Sequence, residues 1–333
     1  MFLFVGLLGL MAAGTAAMVT FDTGIETETE DIPKDEIETD PETDPPADLI
    51  EGPDPTNPGA DGAPEDQIIS GSEASETLTG SAGNDQINGY EGDDTLLGDA
   101  GSDHLYGSDG DDSLSGGEDN DLLHGEAGDD SLSGDAGYDT LFGHMGTDVL
   151  DGGAGNDSLV GGFGEDYLSG GDGDNALHGG ADNDILIAGL GADTLFGGDG
   201  NDLISGAEAD SENGSDFLNG GDGNDTIFAD QGDWVSGGEG SDQIVLNDWQ
   251  LETGVVTITD FSGSEDSLVL LYDESAGNEP DIELRASSLA GAPTEIVVDG
   301  QVVATIQAGS GVEIADIILL AQSNAATNGI ALP

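Results

Sequence analysis

From Gly71 the chain repeats every nine residues, and that period restricts the fold more than any other property of the sequence. Fifteen units run in register from Gly71 to Ser205, among them GSAGNDQIN from Gly80, GYEGDDTLL from Gly89 and GDAGSDHLY from Gly98. Position eight is Leu or Ile in all 15, from Leu78 to Ile204. Position six is Asp in 13, the departures being Glu76 and Asn175, and position one is Gly in 14, the exception being Ala188. A 14-residue unit with five extra residues (206–219), GGDGNDTIF from Gly220, an eight-residue unit and GGEGSDQIV from Gly237 complete 19 units at Val245. Three columns agreeing at once point to one structural unit stacked on itself.

The acids carry the next step. The chain has 333 residues, and 72 Asp and Glu stand against two basic residues, Lys34 and Arg285, for a formal charge of −70. Such a chain is repelled by phosphate backbones and anionic membrane surfaces, which excludes nucleic acid as a partner. Crowded carboxylates need cancelling charge, and hard divalent cations bound through oxygen supply it. Cysteine is absent, which removes disulfides and thiolate sites.

The consensus is G-G-x-G-x-D-x-U-x with U a large aliphatic, and it resembles the hemolysin-type, or RTX, calcium-binding repeat of bacterial secreted proteins. The resemblance implies an all-β fold, a right-handed parallel β-roll in which each coil is two nonapeptides and Ca²⁺ ions sit between the loops. The residues make sense of that geometry. Three residues around position eight form a short strand that sends the aliphatic inward, and six form a turn where glycines allow positive φ. Stacked coils lie about 4.8 Å apart, and calcium reaches its ligands at about 2.3–2.6 Å, so one ion spans two turns. Fifteen units give a ceiling of 13 stacked pairs. Carried over by position, the expected metal ligands are Asp85, Asp94, Asp103, Asp112, Asp121, Asp130, Asp139, Asp148, Asp157, Asp166, Asp184, Asp193 and Asp202, then Asp216, Asp225 and Asp242. Asn175 is expected to weaken its site, and Asp119 and Asp182, which replace the position-four glycine, to disturb their turns. One aliphatic per nine residues is a thin core, so the calcium-free chain is expected to be largely disordered and the ion to drive folding.

Three other regions flank the roll, which is placed at 67–245. Residues 1–21 are uncharged and apolar, long enough for a bilayer-spanning helix; an anchor and a cleaved signal peptide both fit, with length favouring the anchor. Residues 22–66 hold 17 acids and eight of the 11 prolines, the composition of a disordered, self-repelling linker. Residues 246–333 return to ordinary β patterning and are expected to form a β-rich cap and a type I secretion region. There Asp299-Gly300 between two apolar runs signals a hairpin, Thr259-Asp260-Phe261 looks like the segment that follows RTX repeats, and VEIADIILLAQ (312–322) reads as a short helix.

No enzyme is expected. H-E-x-x-H, G-x-S-x-G and EF-hand patterns are missing. The four histidines, His104, His124, His144 and His178, ride at positions seven, nine, two and nine and are not expected to converge. The resulting expectation is a calcium-binding protein, extracellular or on the surface of a bacterium, with a structural or adhesive role toward a cell-surface or glycan partner. The alternatives are an accessory module of a secreted hydrolase or toxin assembly and a calcium buffer.

Overall fold

In a computed structural model the described residues are 65–206, 214–246, 254–273, 280–286, 292–307 and 311–324. The apolar segment 1–21, the linker up to residue 64 and the terminal NGIALP lie outside them.

The described strands form two sheets, one of 14 strands and one of 12, and successive strands alternate between them as far as Ser267–Tyr272. Within the repeats every pairing is parallel. Leu96 stands opposite Leu114, Leu114 opposite Leu132, and Leu132 opposite Leu150, so one coil takes up 18 residues, or two units. The first strand, Ile68–Ser70, pairs with Gln86–Glu91 and precedes the first full unit. The all-β parallel solenoid that the resemblance implied is the observed architecture, with about ten turns.

The strands are longer than the period alone suggested. Thr95–Ala100, TLLGDA, is typical: it covers positions seven to nine and then one to three of the next unit, six residues in place of three. Position one points inward like position eight, and its lack of a side chain lets the chain bend inward there while the inter-coil ladder continues. Position two then adopts positive φ, at 80° in Tyr90, 75° in Asp99 and 88° in Ser108. The turn proper shrinks to positions four to six. Asp119 and Asp182 at position four take φ of 75° and 81°, so their turns keep the shape that the glycines give elsewhere. Asp accepts the left-handed region more readily than most side chains, which is the physical reason the expected disturbance is not seen.

The interior is a single file of aliphatics from each sheet. From Ile87 to Ile244 every position-eight side chain is buried, none above 2% exposed, and the file continues through Ile258 and Leu268 into the C-terminal region. Burial of that file against its opposite is the apolar contribution that holds the two sheets together.

Beyond the repeats, Val256–Ile258 extends the larger sheet beside Trp234–Glu239, and Ser267–Tyr272 extends the smaller one beside Gln243–Leu246. Gln301–Ile306 pairs parallel to Val256–Ile258, then Thr294–Val298 and Ile282–Ala286 add antiparallel strands that close the sheet end. The hairpin turns at Asp299 (φ 50°) and Gly300 (φ 88°), the two consecutive positive φ values of a type I′ turn. The helix expected over 312–322 is instead a strand, Ile317–Ala321, flanked by 3-10 turns at Ile314–Asp316 and Gln322–Asn324. Ser267–Tyr272 would otherwise leave an open ladder, and the β-branched Ile317-Ile318 pair supplies a parallel partner for it.

Candidate metal centre

The turns place one carboxylate per unit at the same point. All 16 aspartates expected from position six are buried, at 0–3% exposure, and form two columns, one along each edge of the roll. Each column is a ladder. Asp85 N–H donates to Asp103 Oδ1 at 2.6 Å, Asp103 N–H to Asp121 Oδ1 at 2.8 Å, and Asp121 N–H to Asp139 Oδ1 at 2.8 Å. The other column runs likewise through Asp94, Asp112, Asp130 and Asp148 at 2.7 to 2.8 Å. One oxygen of every carboxylate is thereby spent on tying coil to coil.

The second oxygen is the informative one. In 14 aspartates Oδ2 is buried with no hydrogen-bond partner: Asp94, Asp103, Asp112, Asp121, Asp130, Asp139, Asp148, Asp157, Asp166, Asp184, Asp193, Asp202, Asp225 and Asp242. Buried anionic oxygens without a partner are strongly disfavoured. Burial, with neighbouring aspartates adding to it and the backbone bond opposing it, pushes Asp121, Asp130, Asp139, Asp166, Asp184 and Asp225 up to about 7. Burial likewise raises Asp103, Asp112, Asp148, Asp157, Asp202 and Asp242.

The glycine at position one explains where that oxygen lies. A methyl placed on Gly152 would meet Asp157 Oδ2 at 2.7 Å and the Gly170 carbonyl oxygen, two units on, at 2.6 Å. The same pair of oxygens meets at Gly134, Gly161 and Gly179. Carboxylate and carbonyl from successive coils thus converge over a glycine, an all-oxygen donor set of the kind hard cations select.

Position two decides whether a carboxylate is left unpaired. At the two ends of the roll it lacks positive φ, and its own N–H turns onto the acid four residues on. Ser72 N–H and Oγ bond Glu76, and Ser81 N–H donates to Asp85 Oδ2 at 2.6 Å. At the far end Ser262 N–H does the same to Asp266 Oδ2 at 2.6 Å. Asp85, though in the column, is therefore satisfied by Ser81. Asn175 also keeps its place: its Oδ1 accepts from Asp157 N–H, but its Nδ2 donates to the Gly173 carbonyl at 3.0 Å, which leaves no free acceptor.

The structure adds members that spacing did not disclose. Asp233, fully buried, occupies the column in the eight-residue unit and accepts from Asp216 N–H at 3.0 Å; the missing residue shifts it to position five. Asp266 follows Asp242 in the ladder at 3.1 Å, outside any nonapeptide. A second ladder runs the opposite way at position five, with Asn84 Oδ1 accepting from Ser102 N–H and Asp111 Oδ1 from Asp129 N–H. Asn or Asp fills position five in nine of the 15 regular units, which is the trace this ladder leaves in the sequence. The histidine expectation is corrected: His124 Nδ1 and His144 Nε2 lie 2.9 Å apart, because position nine of one unit and position two of the unit three further on share an outer face.

The model of the RTX calcium-binding nonapeptide repeat, in blocks of four copies, matches residues 70–105, 106–141, 142–177, 178–210, 210–244 and 230–248, more than half the chain. The chain belongs to the RTX calcium-binding repeat family. Its RTX repeats bind calcium, and the unpaired oxygens above fit that ion in type and placement. No curated protein matches the chain. Among solved structures, the RTX roll is similar to the solution structure of a subunit of the Azotobacter vinelandii mannuronan C5-epimerase. Identity is 23% over 46% of this chain and 84% of that one, with a TM-score of 0.21, a likeness that says nothing about activity here.

Proposed function

We propose that this chain is an extracellular scaffold whose right-handed roll folds on calcium, with the metal ligands being the position-six aspartates and the position-one carbonyls of the next coil. The observation that carries the reading is the set of 14 buried Oδ2 atoms without a donor, flanked at both ends by turns in which a serine N–H satisfies the acid. When bound, calcium supplies positive charge between coils that otherwise repel. The chain's own residues supply the rest: Oδ1 fixes the coil register, the glycine clears the space, and position eight closes the core.

The role is structural or adhesive and not catalytic, since the acids recur as equivalent members of a column and no one of them is singled out by a converging base. An acidic roll in a chain that also carries a Pro-rich acidic segment suits a protein exported by a bacterium or displayed on its surface, toward a cell-surface or glycan partner. The test is circular dichroism of the full chain from chelator to millimolar calcium, with bound ions counted by native mass spectrometry. A transition from disordered to β-rich signal, with several ions bound together, is expected. An unchanged spectrum sinks the reading.

A further inference from the structure

The outer face of the larger sheet carries a constellation that calcium folding does not use. His124 lies on the strand Leu122–Ala127 with Glu126 two residues on, and His144 lies on the adjacent strand Thr140–Met145, where it stands directly opposite Glu126. His124 Nδ1 and His144 Nε2 are 2.9 Å apart, and His144 Nε2 is 3.9 Å from Glu126 Oε1. One ligand atom from each of the three falls within 4.8 Å of the others.

Each side chain is held there by a specific feature. The His124 ring is stacked between Tyr106 and Phe142, at centroid separations of 5.0 and 4.8 Å and angles of 4° and 12°. That sandwich fixes its plane. Glu126 and His144 occupy position two with φ of 80° and 79°, a conformation that most other units fill with Gly, Asp or Ser. Burial, with the neighbouring His144 adding to it, holds the His124 ring below its usual range. Beside the three opens a cleft of about 330 Å³ walled by Phe142, Met145, Val160 and Phe163.

We propose that His124, His144 and Glu126 form a binding site for a borderline divalent transition ion of the zinc class, distinct in chemistry from the calcium sites. Two imidazole nitrogens and one carboxylate make the N₂O set that such ions prefer and calcium does not. In the metal-free form the two rings share an N–H···N hydrogen bond. Replacing that proton by a metal at about 2.0–2.1 Å from each nitrogen opens the pair to roughly 2.9–3.4 Å. The clamped His124 stays, while His144 and Glu126, both partly exposed, swing the small remaining distance. The cleft leaves the remaining coordination positions open to water or an exogenous ligand.

The site rests on the calcium-folded roll, because its two strands belong to different coils. The experiment therefore uses the full chain in excess calcium, with zinc titrated alone by calorimetry and copper(II) examined by electron paramagnetic resonance. One tight zinc site and hyperfine coupling to two imidazole nitrogens are expected. His124→Phe preserves the aromatic stack and His144→Asn tolerates the positive φ; each should weaken zinc by at least about tenfold, since loss of even a metal ligand's outer partner costs that much. His178→Phe, on the same face elsewhere, should change nothing. Calcium-dependent circular dichroism reports folding separately, so a flat calcium response condemns the scaffold and not this site. Zinc binding that is equal in wild type and the double variant, with folding intact, would mean the pair is a hydrogen bond only and overturns the proposal.

Discussion

An aspartate at position six does two jobs with two oxygens, and Asn175 shows what happens when one is lost. Its Oδ1 keeps the ladder while its Nδ2 turns to the Gly173 carbonyl, so the coil stacks without a free acceptor. Asp139→Asn should copy that state: native mass spectrometry is expected to show fewer bound ions, and stability in calcium to fall by roughly 1–3 kcal/mol. Asn175→Asp should add an ion. Equal ion counts in all three proteins would detach the metal from Oδ2. At Gly155, where φ is 141° and a methyl would run into the Gly137 carbonyl, Gly155→Ala should destabilise the calcium-loaded roll by about 1–3 kcal/mol, read from thermal unfolding.

At the level of the element, the turns absorb irregularity that the strands do not. The 14-residue unit and the eight-residue unit change the ladder spacing from 18 to 23 and 17 residues, yet Asp193 N–H still reaches Asp216 Oδ1 at 2.8 Å and Asp216 N–H reaches Asp233 Oδ1 at 3.0 Å. The last regular turn is fastened by Asp260, which accepts from Ser236 Oγ at 2.6 Å, Gly237 N–H at 3.0 Å and Gly238 N–H at 2.9 Å. Asp260→Ala should cost about 1–2 kcal/mol, the carboxylate being solvent-exposed, and raise the calcium midpoint of folding; an unchanged midpoint would deny it a capping role. These elements also mark how far sequence reading reached. The position-eight file, the Asp columns and the Asp299-Gly300 hairpin were legible because each depends on a local period or turn preference. Asp233 was missed because a one-residue deletion moves it out of its column. Residues 312–322 misled because a strand that completes another's edge owes its conformation to a partner about 50 positions earlier in the chain, at Leu268–Tyr272. The position-two switch was invisible for a similar reason: Ser81 and Ser108 are the same residue type, and only the backbone around them differs.

Across the whole molecule the same carboxylates set a pH dependence whose sign reverses with calcium. In the folded, metal-free roll burial lifts Asp121, Asp130, Asp139, Asp166, Asp184 and Asp225 to about 7 and Asp193 to about 6, against an unfolded value near 3.9. A raised folded value means the compact form binds protons more tightly than the unfolded chain, so the contribution is fully present below about pH 4 and gone above about pH 7. Acid also reduces a net charge of −70, which relieves repulsion along the columns. In chelator, then, β-structure by circular dichroism should increase as pH falls from 8 toward 4.5. In calcium the order inverts: protons compete with the ion for the same oxygens, so the calcium concentration needed for folding should rise as pH drops below about 7. Both curves can be recorded on one protein, and they should approach each other at acid pH, where protons neutralise the columns in place of the metal. If folding in chelator were independent of pH between 8 and 4.5, the buried columns would not be what keeps the metal-free chain apart.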